Sequence, residues 1–417
     1  MKKAIALILS LMMVMVFVAC NGGGGTSSTE PGGSEESSAA DEAAQSTASE
    51  VEVSESEAEE SSAGDSKPAG TGKVGIAMPT KSLERWNRDG SYLQSEFESE
   101  GYDVVLVYSD NDVNQQVNDI ENLIADNVDI LVVAAIDGES LSNVLDTAKD
   151  ADIPVISYDR LIMNTDAISY YVSFDNYTVG TLQGQYVIDS LGLDLNDTSK
   201  TYNIEFTAGD PADNNAGFFF GGAYDTLEPY IDAGILVVPS GQTSFEQVAT
   251  ASWLTDNALS RMQNILASYY SDGTVLDVAL CSNDSTALGV TQAIESDYAG
   301  DNEPIITGQD GDEANLANII DGKQSMTVYK AVANEAVVTI DLAIEILNGE
   351  TPDDKLISDS GWDFECSYDT ETYDNGTAVI PSYLLVPTVV TADNLEEELI
   401  DTGYYTLGDD NYPKAVG

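Results

Sequence analysis

From residue 73 onward, short apolar runs rich in branched residues alternate with longer stretches in which apolar positions recur at helical spacing. The runs at 74–78, 104–107, 130–134 and 155–158 predict strands, and the stretches near 83–99, 113–126 and 141–151 predict the helices between them. A second series repeats the plan, with strands predicted at 203–206, 236–238, 275–280 and 304–307 and helices near 213–228, 248–270 and 285–296. Strands that read as unbroken apolar runs are covered on both faces, which is the condition of a parallel sheet flanked by helices. The alternation therefore predicts an α/β protein with two lobes of similar plan, as suits a chain too long for one core.

The first 72 residues follow different rules. Lys2 and Lys3 precede an apolar stretch, 4–19, interrupted only by Ser10. That is the layout of a secretory signal, and at sixteen residues it falls short of the ~20 that span a bilayer. Ala19 before Cys20 resembles a bacterial lipobox, with Phe17 in place of the usual leucine, so 1–19 reads as signal peptide and Cys20 as the lipidated residue. The alternative is a retained membrane helix; either way the protein lies outside the cell membrane. Residues 20–72 carry twelve acidic side chains, one lysine and almost no branched or aromatic residues. Such a segment builds no core and reads as a disordered acidic tether with a mean reach of roughly 40 Å, a spacer without a partner of its own.

Charge and composition then narrow the function. The chain has 15 Lys+Arg against 73 Asp+Glu, a formal charge of −58, which repels phosphate backbones and disfavours nucleic acid as a partner. It has no histidine, which removes His-ligated metals, Ser-His-Asp and Cys-His nucleophiles and any histidine base. Besides Cys20 only Cys281 and Cys366 remain, too few for a disulfide framework; one bridge is possible, and Cys281, at the end of an apolar run, reads as a buried thiol.

In open parallel sheets ligands bind beyond the carboxyl ends of the strands. The residues there are polar: Arg85 and Trp86 after the first strand, Asp159 and Arg160 after the fourth, then Asp213, Asn214 and Asn215, Asn283 and Asp284, Gln309 and Asp310, and Lys330. Trp253 is placed at the start of the helix near 248–270. With so few basic residues in the chain, the coincidence of Arg85, Arg160 and Lys330 at strand ends favours a site over surface decoration. Planar Asp, Asn and Arg groups hold vicinal hydroxyls, and indole faces cover the C–H surfaces of a pyranose. The plain alternative is that Trp86 and Trp253 each fill the core of their own lobe. Asp110, Asp112, Asn114, Asn118 and Glu121 fall at EF-hand spacing, but Gln115 replaces the required glycine and an apolar helical stripe (Val113, Val117, Ile120, Ile124) runs through them, so no metal is assigned. The Asn-x-Thr triplets at Asn176, Asn196 and Asn375 are put down to chance.

Residues 74 to 417 resemble the bacterial periplasmic sugar-binding proteins of ABC importers, in the xylose-binding and multiple-monosaccharide-binding group. The resemblance runs through Met78-Pro79-Thr80-Lys81, Glu84-Arg85-Trp86, Ile136-Asp137-Gly138, Tyr158-Asp159-Arg160-Leu161, Phe174-Asp175-Asn176, Asp213-Asn214-Asn215-Ala216, Gly308-Gln309-Asp310, Thr327-Val328-Tyr329-Lys330 and Pro381-Ser382-Tyr383-Leu384-Leu385. It implies two Rossmann-like lobes with parallel sheets, joined by a three-strand hinge with crossings near Phe174, Tyr329 and Ile380. The N-terminal lobe would comprise 73–175 and 330–378, the C-terminal lobe 176–329 and 379–417. It also implies ligand contacts at Arg85, Trp86, Asp159, Arg160, Asn214, Trp253, Asn283, Asp310 and Lys330, with no catalytic residue, metal or cofactor. The implied function is a monomeric, lipid-anchored receptor that captures a monosaccharide of xylose, glucose, galactose or arabinose type and delivers it to ABC permease subunits. A sugar sensor docking on a membrane receptor is the alternative, and a glycoside hydrolase a more remote one. Residues 360–366 look inserted relative to the family, covering the lobe or contacting a permease.

Overall fold

The computed structural model describes residues 72–416. The signal, Cys20 and the acidic tether fall outside the described residues. In the first lobe the chain runs β1 (Lys73–Met78), α1 (Glu84–Ser99), β2 (Asp103–Tyr108), α2 (Val113–Ala125), β3 (Ile130–Val133), α3 (Ser142–Asp150), β4 (Val155–Tyr158) and β5 (Ile168–Phe174). It then enters the second lobe through α4 (Asn176–Leu191), β6 (Tyr202–Thr207), α5 (Asn214–Asp232), β7 (Leu236–Val237), α6 (Phe245–Val248), α7 (Thr255–Ile265), β8 (Val278–Cys281), α8 (Asp284–Asp297), β9 (Ile305–Ile306), α9 (Glu313–Ile320) and β10 (Thr327–Tyr329). It returns through α10 (Val332–Leu347), α11 (Lys355–Ser360), β11 (Cys366–Asp369) and β12 (Ser382–Leu385), and crosses again into β13 (Thr388–Val390).

The first sheet has the order β11-β12-β5-β4-β3-β1-β2, parallel except for the antiparallel edge strand β11. Successive side chains of a strand point to opposite faces, and the two faces fill separately. Val74, Ile76 and Met78 pack with Leu93 and Phe97 of α1 and Leu342 of α10; Ala77, Leu131 and Val133 pack with Ile120 of α2 and Leu145 of α3. The second sheet, β7-β6-β8-β9, is parallel and divides in the same way, with Phe206 and Leu280 on one face and Ala279 and Cys281 on the other.

Several expectations shift. The strand expected at 275–280 pairs only from Val278, because Val275 is 44% exposed and the Asp277 carboxylate accepts the Asn203 N–H at 2.7 Å instead of continuing the ladder. The single helix expected over 248–270 is broken at Ser252 and Trp253, which hold φ of 55° and 56°, so Trp253 precedes α7 rather than opening it. Helices α4 and α10 were not anticipated. The crossing expected near Ile380 comes later: Ser382–Leu385 pairs with β5 of the first sheet, so the chain leaves that lobe only after Leu385. Residues 360–366 lie on the first lobe, where Trp362 stacks on Phe364 at 5.4 Å and donates through Nε1 to Asp341 Oδ2 at 2.9 Å. Asp112 caps α2 by accepting from the Asn114 and Gln115 N–H groups. Cys281 and Cys366 are free thiols, the first buried.

Candidate functional site

A narrow polar cavity lies between the lobes at the carboxyl ends of both sheets. Eight of the nine residues expected to contact a ligand line it: Arg85, Trp86, Asp159, Arg160, Trp253, Asn283, Asp310 and Lys330. The ninth, Asn214, does not. It begins α5 half-buried, while its neighbours turn inward: Asp213 lines the cavity and Asn215 Nδ2 donates to the Asp159 carbonyl at 2.5 Å. A helix turns each residue by about 100°, so one position within Asp-Asn-Asn changes which side chain faces the cleft. Gln309, one of the polar residues at the strand ends, also lines the cavity, as do Leu83, Phe219 and Ser285, which were not expected there.

Each group is set by a local feature. Arg85 and Trp86 are the second and third residues of α1, directly beyond the β1 loop. Asn283 is the N-cap of α8, its Oδ1 accepting from the Thr286 N–H at 3.0 Å and its Nδ2 donating to Asp310 Oδ2 at 3.3 Å. Asp159, Trp253 and Asp310 all hold positive φ, 57°, 56° and 103°. For a bulky residue such as Trp253 this is a strained conformation, of the kind that persists where surrounding structure enforces it and that clusters at ligand sites. Gly209 permits it, since a Cβ there would overlap the Trp253 ring. The Trp253 indole donates to Asp213 Oδ2 at 3.1 Å and packs edge-on against Phe219.

Charges of both signs meet in the cavity. Arg85 donates to Asp159 Oδ1 at 2.5 Å, Glu335 Oε2 at 3.2 Å, Asp89 Oδ2 at 3.3 Å and Asp310 Oδ1 at 3.4 Å. Lys330 Nζ donates to Asp159 Oδ1 at 3.1 Å and lies 3.6 Å from Asp310 Oδ1. Arg160 Nε lies 3.0 Å from Asp213 Oδ2. The Arg85 and Arg160 guanidinium carbons each stand 4.9 Å from the Trp86 ring. Asp159 belongs to the first lobe and Asp310 to the second, so Arg85 and Lys330 each tie the two together.

Burial would raise the Asp159 carboxyl, but Arg85, Lys330 and Arg160 outweigh it and hold it well below the usual carboxylate range. Behind Arg85, burial wins: it pushes Asp89 up to about 6 against the pull of Arg85, and raises Glu335 well above its ordinary value, with the Asp159 charge adding to the effect. Asp89 Oδ1 and Glu335 Oε1 have no hydrogen-bond partner, each group meeting Arg85 through its other oxygen. Both escaped the sequence reading. The signal for Asp89 was its i+4 spacing from Arg85, and for Glu335 a lone buried acid on the apolar helix α10.

The expected division between cleft wall and core plug does not hold for either tryptophan. Trp86 and Trp253 line the cavity and are also 3% and 4% exposed members of their lobes' apolar clusters. The rims meet as well: Arg88 donates to the Asp310 and Gly311 carbonyls, Glu84 accepts the Glu313 N–H, and the Gly138 N–H donates to the Ala212 carbonyl. The lobes are closed on one another.

Two α/β lobes, three crossings and a buried polar cavity between them define a hinged binding protein. The chain belongs to the periplasmic binding protein domain family, whose model matches residues 74–351. It is 42% identical over 340 residues to the multiple sugar-binding periplasmic receptor ChvE of Rhizobium radiobacter, covering 81% of this chain and 92% of that protein. It is 34% identical over 333 residues to the D-xylose-binding periplasmic protein of Escherichia coli, covering 80% and 91%. Among solved structures it is similar to an ABC transporter solute binding protein from Clostridium phytofermentans with bound β-D-glucose, with a TM-score of 0.75 and 50% identity, covering 81% of this chain and 99% of that one. The family is one of binding proteins, and the chain is not an enzyme.

Proposed function

We propose that this chain is an extracytoplasmic lipoprotein, anchored through Cys20, that captures a neutral monosaccharide of xylose, glucose, galactose or arabinose type between its lobes and delivers it to an ABC permease. The observation that carries the reading is the balance of charge in the cavity. Arg85, Arg160 and Lys330 face Asp159, Asp213 and Asp310 there, all of them nearly buried. An ionic ligand would leave one sign unpaired in a dry site, whereas a neutral polyol exchanges hydrogen bonds with both signs and leaves the balance intact. Trp86 and Trp253 supply the flat apolar surfaces that the C–H faces of a pyranose match. The similarity to sugar receptors and to a glucose-bound solute binding protein agrees with this chemistry.

Closure then reports occupancy: a ligand bridging the lobes favours the closed form, which a permease can distinguish by shape. Titration calorimetry with D-xylose, D-glucose, D-galactose, L-arabinose and D-ribose tests the proposal. At least one aldose should bind at micromolar concentration or tighter; dissociation constants above ~1 mM for all five, an affinity of only about −4 kcal/mol, would overturn it.

A further inference from the structure

Behind the hinge lies a second and larger space, which the sugar reading does not use. Phe174, Tyr329, Leu385, Val386 and Thr388 line it, so all three crossings contribute to its wall. Phe174 separates it from the first cavity, its ring centred 5.5 Å from Lys330 Nζ. The rest of the wall brings two further aromatic rings, Phe364 of the inserted segment and Tyr404, the latter 5.5 Å from the Tyr329 ring. Two carboxylates complete it, Glu365 and Glu398, and no lysine or arginine is among the lining residues. Among the described residues neither carboxylate has an ion pair or a side-chain hydrogen bond. Glu365 and Val386 are exposed, so the space opens to solvent.

Aromatic rings around a space with unpaired carboxylates at its edge suit a cation with an apolar body. The ring faces attract positive charge, more strongly as water is excluded, and the carboxylates supply hydrogen-bond acceptors. Because every crossing segment changes conformation when the lobes hinge, the shape of this wall is coupled to the hinge angle. We infer that the cavity behind the hinge is a binding site for small arylalkyl ammonium ions, and that its occupation shifts the opening equilibrium of the lobes. This rests on the hinge geometry alone, independently of what the first cavity binds.

The test uses 2-phenylethylammonium and its uncharged counterpart 2-phenylethanol, titrated into the purified protein without sugar. The amine should bind saturably, and 2-phenylethanol should bind roughly tenfold more weakly, the worth of one cation–π or charge-assisted contact. Glu365→Gln with Glu398→Gln, both at solvent-accessible positions, should weaken the amine by a similar factor while leaving the melting temperature in place. Small-angle scattering with the amine alone should show a changed radius of gyration. Equal binding of amine and alcohol, or equal amine binding by wild type and the double variant, would overturn the site. Saturation without any change in scattering would overturn its coupling to the hinge. A further arm adds D-glucose: simple competition would place the amine in the first cavity and refute the inference.

Discussion

Replacing Lys330 by methionine tests how the cavity is held and used. The ammonium is 1% exposed, and its aliphatic chain has the length of methionine, so Lys330→Met keeps the packing beside Phe174 and Phe219 and removes the charge. Asp159 then keeps Arg85 at 2.5 Å, and Asp310 keeps Arg85 at 3.4 Å and Asn283 at 3.3 Å. Neither carboxylate is stripped bare, so the cost is that of one charge-assisted hydrogen bond, ~1.5–3 kcal/mol, rather than the larger penalty of an orphaned buried charge. Two consequences follow from the position of Lys330 between Asp159 of one lobe and Asp310 of the other. Sugar affinity should fall by roughly ten- to a hundredfold. The unliganded molecule should also open, because one of the cations that tie the lobes is gone, leaving Arg85, Arg88 and Arg160. Calorimetry reads the first and small-angle scattering the second. An affinity within about twofold of wild type, a difference of under ~0.5 kcal/mol, together with an unchanged scattering profile would refute the reasoning.

Trp86→Phe and Trp253→Phe should each retain an apolar ring but present a smaller face; the rise in melting temperature on adding saturating sugar should shrink in both, and an undiminished rise would remove the stacking role. Asp89, with its carboxyl raised to about 6 by burial, stabilises the fold in full below the ordinary value of 3.8 and loses that contribution as pH rises through 6. Asp312, raised to about 7 by burial against the pull of Arg88, acts in the same direction. Asp159, held low, works oppositely but only below pH 3.8. Unliganded stability should therefore decline between pH 4 and pH 7, less steeply in Asp89→Asn, and an identical slope in that variant would exclude Asp89 as the titrating group. Cys20→Ser should release the protein from the membrane fraction; retention after a high-salt wash would mean the apolar run at 4–19 stays as a membrane helix.

The parts of this fold legible from sequence are those in which one physical signal acts alone. The strands β1, β3 and β4 are apolar runs because both faces are buried, whereas the edge strand β2 is apolar but only half-buried, and the ends of such strands are where polar residues gather into a site. Arg85, Arg160 and Lys330 stood out because cations are scarce in so acidic a chain. Where two signals compete, the reading fails by a residue or more. Asp213, Asn214 and Asn215 carry the same kind of side chain, and only the phase of α5 decides which of them faces the cleft. Trp253 was placed in a helix because its neighbours suit one, whereas packing over Gly209 forces a left-handed turn that local propensity opposes. Asp89 is a helical turn from Arg85, and Glu335 reaches it only because α10, some 250 residues later, packs beside α1 in the first lobe, a pairing that no local pattern records. The late third crossing follows from β12 pairing with β5, a contact between residues about two hundred apart in the chain that no local pattern records.

The central claim is that a neutral monosaccharide occupies the cavity bounded by Trp86, Trp253, Asp159 and Lys330. A crystal structure of the protein grown with D-glucose or D-xylose tests it directly. The account predicts a pyranose between the two indoles, with its hydroxyls within about 3.2 Å of Asp159 and Lys330, the range of direct hydrogen bonds. A sugar bound elsewhere, or one in this cavity that leaves both residues paired only with each other, would contradict it.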